Sequence, residues 1–215
     1  QRHLTIPCEM CIRDSDKAIA NRDGVGLAAA LQAAFGSGIQ ALNAQWDGKP
    51  LFGGERQEGD PVPLHGVGDL VYWGGARTFN ESPRRQAAIL ETTPFDLAPK
   101  ASEIGTNFLA GLQKLERQLR ENGGQLGTLT ESQIADLQTA RADLKAASRD
   151  FLTAEGNTGT LTKRMGDIRT REEGRVLTLQ SLFGRDRDAD LAEVAARISL
   201  LDTQFRATAQ GVSQL

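Results

Sequence analysis

The sequence predicts a mainly α protein, an elongated rod of long helices and coiled coil that carries a small β-rich insert. Aromatic residues make up only 5% of the 215 residues, fewer than a compact globular core normally contains. Apolar residues near the carboxyl end recur every seven residues, which is the spacing of a coiled coil. Between residues 47 and 100, Gly and Pro clusters interrupt the helical period. We therefore divide the chain into five segments, residues 1–15, 16–54, 55–100, 101–184 and 185–215.

Residues 1–15 show no helical or strand period, and we expect a non-native or disordered leader. They contain both cysteines, Cys8 and Cys11, in a C-x-x-C arrangement. A zinc site would need two further ligands, and the only histidines are His3 and His65. A redox site would need a strand before the motif and a helix after it. The stretch 10–15 also resembles a translated sequencing-adapter remnant.

Residues 16–54 are predicted to form the amino-side helix of the rod and the turn that ends it. The helix runs from Val25 to Gln45, although Gly36 and Gly38 weaken it. Its apolar side chains lie on one side at near-helical spacing: Leu27, Leu31, Phe35, Leu42 and Trp46. Asp47-Gly48 follows, a pair typical of tight turns.

Residues 55–100 are predicted to form the β-rich insert. Strands are expected at 70–73 and 87–93, because β-branched, aromatic and other apolar residues concentrate there between turn signals. Pro94 and Pro99 close the segment.

Residues 101–184 are predicted to form the long helices of the rod. One helix runs from Ser102 to Glu121 and ends at Asn122-Gly123-Gly124. The next begins at Thr130, which with Gln133 forms the T-x-x-Q capping box. It continues to about Phe183, with a break possible near Asn157, and Gly184-Arg185 separates it from the terminal helix.

Residues 185–215 are predicted to form a coiled-coil helix with an apolar seam. Two rows of residues at heptad spacing form the candidate assembly interface: Leu191, Val194, Ile198, Leu201, Phe205, Val212 and Leu215. Leaving such a seam in water would forfeit roughly 10–20 kcal/mol gross, at about 1.5–3 kcal/mol per side chain. The seam therefore requires a partner. It also continues to Leu215 without a stop signal, so we expect the chain to be a fragment.

Catalytic, cofactor and metal sites are not predicted. Gly24 to Ala29 matches the letters of a dinucleotide fingerprint but lacks the strand that must precede it. Asp186, Asp188 and Asp190 imitate the start of a calcium loop, but Leu191 replaces its glycine. With a net charge of −3, a nucleic acid partner is not expected. Neither a membrane span nor a cleavable secretory signal is expected either.

Two segments resemble the flagellin family. Residues 42–54, LNAQWDGKPLFGG, are similar to the stretch that ends the first long helical part of these proteins. Residues 188–198, DADLAEVAARI, are similar to their carboxy-terminal helix. The ending LFGG and the short insert resemble the hook-associated branch, whose members join hook to filament, more than filament flagellin.

The resemblance implies a rod-like, non-enzymatic subunit whose amino- and carboxy-terminal helices pair into a coiled coil. It also implies that this chain is a fragment lacking the amino-terminal part. It implies self-assembly, contacts with neighbouring hook-associated and flagellin subunits, and a flagellar export chaperone. It also implies export to the extracellular flagellum through the type III channel without signal cleavage. Filament flagellin remains an alternative within this class. An intracellular coiled-coil adaptor is the alternative from another class.

Overall fold

The computed structural model describes residues 5–87 and 95–212, which are mainly α-helical, as predicted. The helices are α1 (Thr5–Asn21), α2 (Leu27–Leu42), α3 (Ala101–Glu121) and α4 (Glu131–Val212). Two short antiparallel pairs are formed by β1 (Gln45–Trp46) with β2 (Lys49–Pro50) and by β3 (Gln86–Ala87) with β4 (Phe95–Asp96). Two 3₁₀ helices cover Val67–Tyr72 and Gly75–Thr78. The chain divides into two compact units, Gln1–Leu161 and Thr162–Leu215, and α4 contributes to both.

In the first unit, α3 and α4 run antiparallel. Asn107 Nδ2 donates to Asp150 Oδ2 at 2.7 Å, and Gln118 Nε2 donates to Asp136 Oδ2 at 2.7 Å. Between these bonds, Lys114 Nζ lies 2.6 Å from Asp143 Oδ2. The partner number on α4 falls as the number on α3 rises, so the two helices point in opposite directions.

Helices α1 and α2 complete a four-helix arrangement. Asp16 on α1 pairs with Arg141 on α4, and the Cys11 thiol donates to the Ala30 carbonyl on α2 at 3.8 Å. The loops at one end are paired as well, because Gly24 N donates to the Gly127 carbonyl at 2.8 Å. This pairing joins the α1–α2 connection to the α3–α4 connection.

The core of the first unit draws apolar side chains from all four helices. The largest fully buried ones include Leu42 from α2, Phe108 and Leu112 from α3, and Leu137 and Leu144 from α4. The Phe108 ring also meets the Phe151 ring edge to face, with centroids 6.2 Å apart. Leu137, Leu144 and Phe151, which recur every seven residues along α4, therefore belong to the core that α4 shares with α3.

The predicted disorder of residues 1–15 is wrong from Thr5 onward, where α1 begins. Cys8 and Cys11 are 0% and 2% exposed and belong to the core. Burial raises the pKa of each thiol from 9.0 to about 12, which makes both groups poor nucleophiles and poor metal ligands. A thiol behaves here as a small apolar side chain. When the two cysteines are counted as apolar residues, the buried positions of α1 follow a helical period: 8, 11, 15 and 18.

In segment 55–100, expected to be β-rich, the described residues form two 3₁₀ helices and one short antiparallel pair, β3–β4. Residues 70–73 were expected to be a strand, but Leu70 lies in the first 3₁₀ helix. The Asp69 carboxylate starts this helix by accepting hydrogen bonds from the backbone N–H groups of His65 and Gly66, which also lower the pKa of Asp69. Strand β3 begins at Gln86, and residues 88–94 of the second expected strand lie outside the described residues.

The predicted ends of the helices agree with the structure better than the predicted strands do. At the start of α4, Thr130 N donates to Gln133 Oε1 at 2.9 Å and Gln133 N donates to Thr130 Oγ1 at 3.3 Å, which is the predicted capping box. The possible break near Asn157 and the separation at Gly184-Arg185 do not occur, since α4 continues to Val212. A glycine inside a helix costs about 1 kcal/mol, and dispersed glycines do not end a helix of this length.

The two glycines expected to weaken α2 have different surroundings. A Cβ on Gly38 would lie 2.2 Å from the Phe108 ring, whereas a Cβ on Gly36 would meet nothing within 4 Å. Gly38 therefore permits the close approach of α2 to α3, and Gly36 has no such packing role.

We predict that Gly38→Ala lowers the free energy of unfolding by about 1–3 kcal/mol, because the added methyl group displaces the Phe108 ring. Gly36→Ala is the matched control and should leave stability unchanged or raise it by up to about 1 kcal/mol through helix propensity. Urea unfolding followed by circular dichroism measures both values. Equal effects of the two substitutions would contradict the close packing of α2 on α3.

We predict that Cys8 and Cys11 resist an aromatic disulfide reagent at pH 8 in the native protein and react fully in guanidinium chloride. An Ala135→Cys variant without the native cysteines is the exposed control and should react at once. Between pH 9.0 and about 12 only the unfolded state releases the thiol protons. The free energy of unfolding should therefore decrease as the pH rises through this window. It should decrease less in the Cys8→Ala/Cys11→Ala variant, which has no thiol to titrate. Rapid native labelling would show that α1 does not pack in the core.

Candidate assembly surface on helix α4

The second unit carries the predicted interface on α4, and its described members are all exposed. Five of the seven interface residues have described side chains, which are between 51% and 75% exposed: Leu191, Val194, Ile198, Leu201 and Phe205. The side chain of Val212 and all of Leu215 lie outside the described residues. Because the spacing alternates between three and four residues, the five side chains share one face of the helix. They form an apolar stripe, which we call the α4 seam.

Further apolar side chains of the second unit are exposed upstream of the α4 seam. Val176, Leu179 and Phe183 follow the same alternation of three and four residues and are exposed by half or more. The step from Phe183 to Leu191 is eight residues instead of seven, which shifts the stripe around the helix. The predicted interface was confined to residues 185–215, so it did not include Val176 and Phe183.

Leu182 and Leu200 are also exposed, and they lie away from the α4 seam. Leu200 is not part of the predicted interface, because it belongs to neither of the two rows of residues at heptad spacing. The described part of the second unit therefore presents apolar side chains on more than one face.

Charged residues flank the α4 seam. Arg197 precedes Ile198 and Asp202 follows Leu201, the positions that flank the seam of a coiled coil. Arg197 pairs with Glu193 at 2.7 Å, and Asp202 pairs with Arg206 at 3.0 Å. Both pairs are exposed and contribute little to stability. Their side chains are available to ion pairs with a neighbouring helix.

A groove of about 390 Å³ in the first unit is lined in part by Arg84, Asp96, Glu103 and Asp150. Arg84 lies 2.6 Å from Asp96 and 2.8 Å from Glu103, and these contacts raise the pKa of Arg84. Hydrogen bonds from Gln86 and Arg84 lower the pKa of Asp96. The charges in this groove therefore join the β3–β4 hairpin to α3, and the contacts suit anchoring rather than proton transfer.

Within residues 5–87 and 95–212, no group of three His, Cys, Asp or Glu side chains is placed to hold a metal ion. The described helices include none whose length and apolar character would suit a membrane crossing.

Comparison with known proteins gives one informative match. Neither a family model nor a curated protein matches the sequence. The structure is similar to the crystal structure of FlgL from Bacillus cereus, with a TM-score of 0.53 and 10% sequence identity. The match covers 79% of this chain and 86% of the FlgL chain. At this identity the likeness shows a shared fold.

We predict that amide hydrogen exchange differs sharply along α4 in dilute solution. Peptides covering 137–151 should exchange slowly, because this part of the helix packs in the core of the first unit. Peptides covering 191–205 should exchange at least about tenfold faster, because an isolated helix gains little stability from propensity alone. Mass spectrometry measures both rates in one sample. Amide exchange in residues 191–205 should become slower as the protein concentration rises. An exchange rate that does not change with concentration would contradict a seam that requires a partner.

Proposed function

We propose that this protein is a structural subunit of the bacterial flagellum that joins hook to filament through coiled-coil assembly. The observation that carries the proposal is the α4 seam, five large apolar side chains exposed along one helix face. Burying them would contribute roughly 8–15 kcal/mol gross, before the cost of association. A surface of this kind favours assembly over catalysis.

The periodicity of the α4 seam specifies the kind of partner. A strict seven-residue repeat fits a second helix that winds around α4 in a left-handed supercoil. Within the first unit, α1 already lies beside α4, as the Asp16–Arg141 pair shows. We therefore propose that amino-side and carboxy-side helices also pair along the α4 seam, within a rod-like subunit and between its copies.

The flagellar assignment combines two independent likenesses. The sequence of residues 42–54 and 188–198 resembles the flagellin family. The fold is similar to that of FlgL, a hook–filament junction protein. On this proposal the protein is exported to the extracellular flagellum with the help of an export chaperone. Its neighbours are other copies, hook-associated subunits and flagellin.

We predict that Ile198→Asp, introduced into the complete gene in its source bacterium, abolishes filament attachment to the hook. A carboxylate in the centre of the α4 seam would have to be buried without a partner. Thr203→Asp is the matched control, because Thr203 is exposed on the opposite side of the same helix. Filaments per cell counted by electron microscopy, with the exported protein measured in the medium, give the result.

Normal filament numbers with Ile198→Asp would overturn the assembly role of the α4 seam. Antibody labelling distinguishes the related functions: label confined to the hook–filament boundary supports a junction subunit, and label along the filament supports flagellin. An intact protein retained inside the cell would instead support a coiled-coil adaptor.

A further inference from the structure

Two opposite charges lie on the two sides of the α4 seam, near its centre. When Ile198 is taken as position a of a heptad, Arg197 is position g of the preceding heptad and Asp202 is position e. Charges at e and g decide which helix a coiled coil accepts and in which orientation. These two residues therefore carry information about the partner of the seam.

Within one helix these two charges do not meet. Five residues separate them, which places their side chains about 140° apart around the helix axis. Each pairs instead with a residue four positions away, Arg197 with Glu193 at 2.7 Å and Asp202 with Arg206 at 3.0 Å. All four side chains are more than half exposed. Such surface pairs are weak, so the charges can turn to a neighbouring helix at little cost.

The charge pattern is complementary to a second copy of itself in one orientation. In two parallel helices in register, position g of one helix faces position e of the following heptad in the other. Arg197 of each copy then lies opposite Asp202 of the other copy, and twofold symmetry forms the contact twice. In an antiparallel pair g faces g and e faces e, so Arg197 and Asp202 do not meet.

We propose that the α4 seam binds the α4 seam of a second copy of this chain, parallel and in register. This inference rests on the proposed assembly role of the seam and adds the partner and its orientation. The affinity comes from the apolar side chains, five exposed ones from each copy. The two Arg–Asp contacts contribute little to affinity and act by disfavouring other orientations.

The test is an exchange of the two charges, measured by sedimentation equilibrium of the full chain at low ionic strength. Arg197→Asp alone and Asp202→Arg alone should each weaken dimerisation about tenfold, because each replaces two attractive contacts by two repulsive ones. The variant with both substitutions forms the two contacts with the charges exchanged. Its Kd should lie within about threefold of that of the unmodified chain.

Recovery in the double variant can come only from contacts between copies. Inside each helix, position 197 still faces Glu193 and position 202 still faces Arg206, now with like charges. A double variant that dimerises as weakly as the two single effects combined would overturn the proposal. Glu193→Gln is the matched control, because it removes the partner of Arg197 at a position that faces away from the seam. It should change the Kd by less than about twofold.

A disulfide tests the register directly. In a Cys8→Ala/Cys11→Ala background, Leu201→Cys places a thiol at position d, where parallel helices in register bring equivalent residues within disulfide reach. Oxidised glutathione should convert this variant to a covalent dimer. Thr203→Cys, on the opposite side of the helix, should remain monomeric under the same conditions. Equal cross-linking of the two variants, or none in either, would overturn the proposal.

Ile198→Asp separates a failure of this inference from a failure of the proposed function. If it abolishes dimerisation but the charge exchange shows no recovery, the seam assembles in another orientation and only the inference is wrong. If the unmodified chain stays monomeric at every concentration, a second copy is not the partner and an amino-side helix of the rod is favoured. Filament attachment in cells then still tests the assembly role by itself.

Discussion

The apolar face of α4 is the constraint on which the rest of the structure depends. Side chains spaced by three and four residues cannot all be buried unless a second element covers that face. In the first unit α3 covers it, and Leu137, Leu144 and Phe151 become core residues. In the second unit the same kind of spacing leaves Leu191, Ile198 and their neighbours in solvent. One helix thus supplies both an intramolecular core and a candidate surface for assembly.

Small side chains control how closely the other helices approach this core. The position of Phe108 against α2 depends on the absence of a side chain at Gly38, and a Cβ on Gly111 would lie 2.8 Å from Leu144. Close helix contact of this kind raises packing density but leaves no space for larger residues. The core is therefore specified by the placement of glycine as much as by the apolar residues, which is consistent with the low aromatic content.

Polar side chains attach the irregular segment between α2 and α3 to the helices. Gln113 holds the first 3₁₀ helix, Arg84 joins the β3–β4 hairpin to α3, and Asn43 Nδ2 and Oδ1 exchange hydrogen bonds with the backbone of Val62, both at 2.8 Å. The hydrogen bonds of Gln113 and Asn43 are made to backbone groups of this segment, whereas Arg84 pairs with the side chains of Asp96 and Glu103. The segment between α2 and α3 therefore covers part of the core of the first unit.

The sequence by itself determined the mainly α fold class, helix α3 and the start of α4. Hydrophobic periodicity and the local chemistry of caps and turns act within a few residues. They predict the fold class, the bounds of α3, the Asp47-Gly48 turn and the capping box at Thr130. The α4 seam was also predictable, because a heptad is a local pattern.

Tertiary structure alone decided which features are buried and what they contact. The cysteines of α1 are core residues because α1 packs on other helices, and the 3₁₀ helix at Leu70 is held on α3 because Gln113 Nε2 donates to the Leu70 carbonyl. The different roles of Gly36 and Gly38 likewise depend on residues distant in sequence. Local patterns do not contain such contacts, because they arise only when the helices pack against one another.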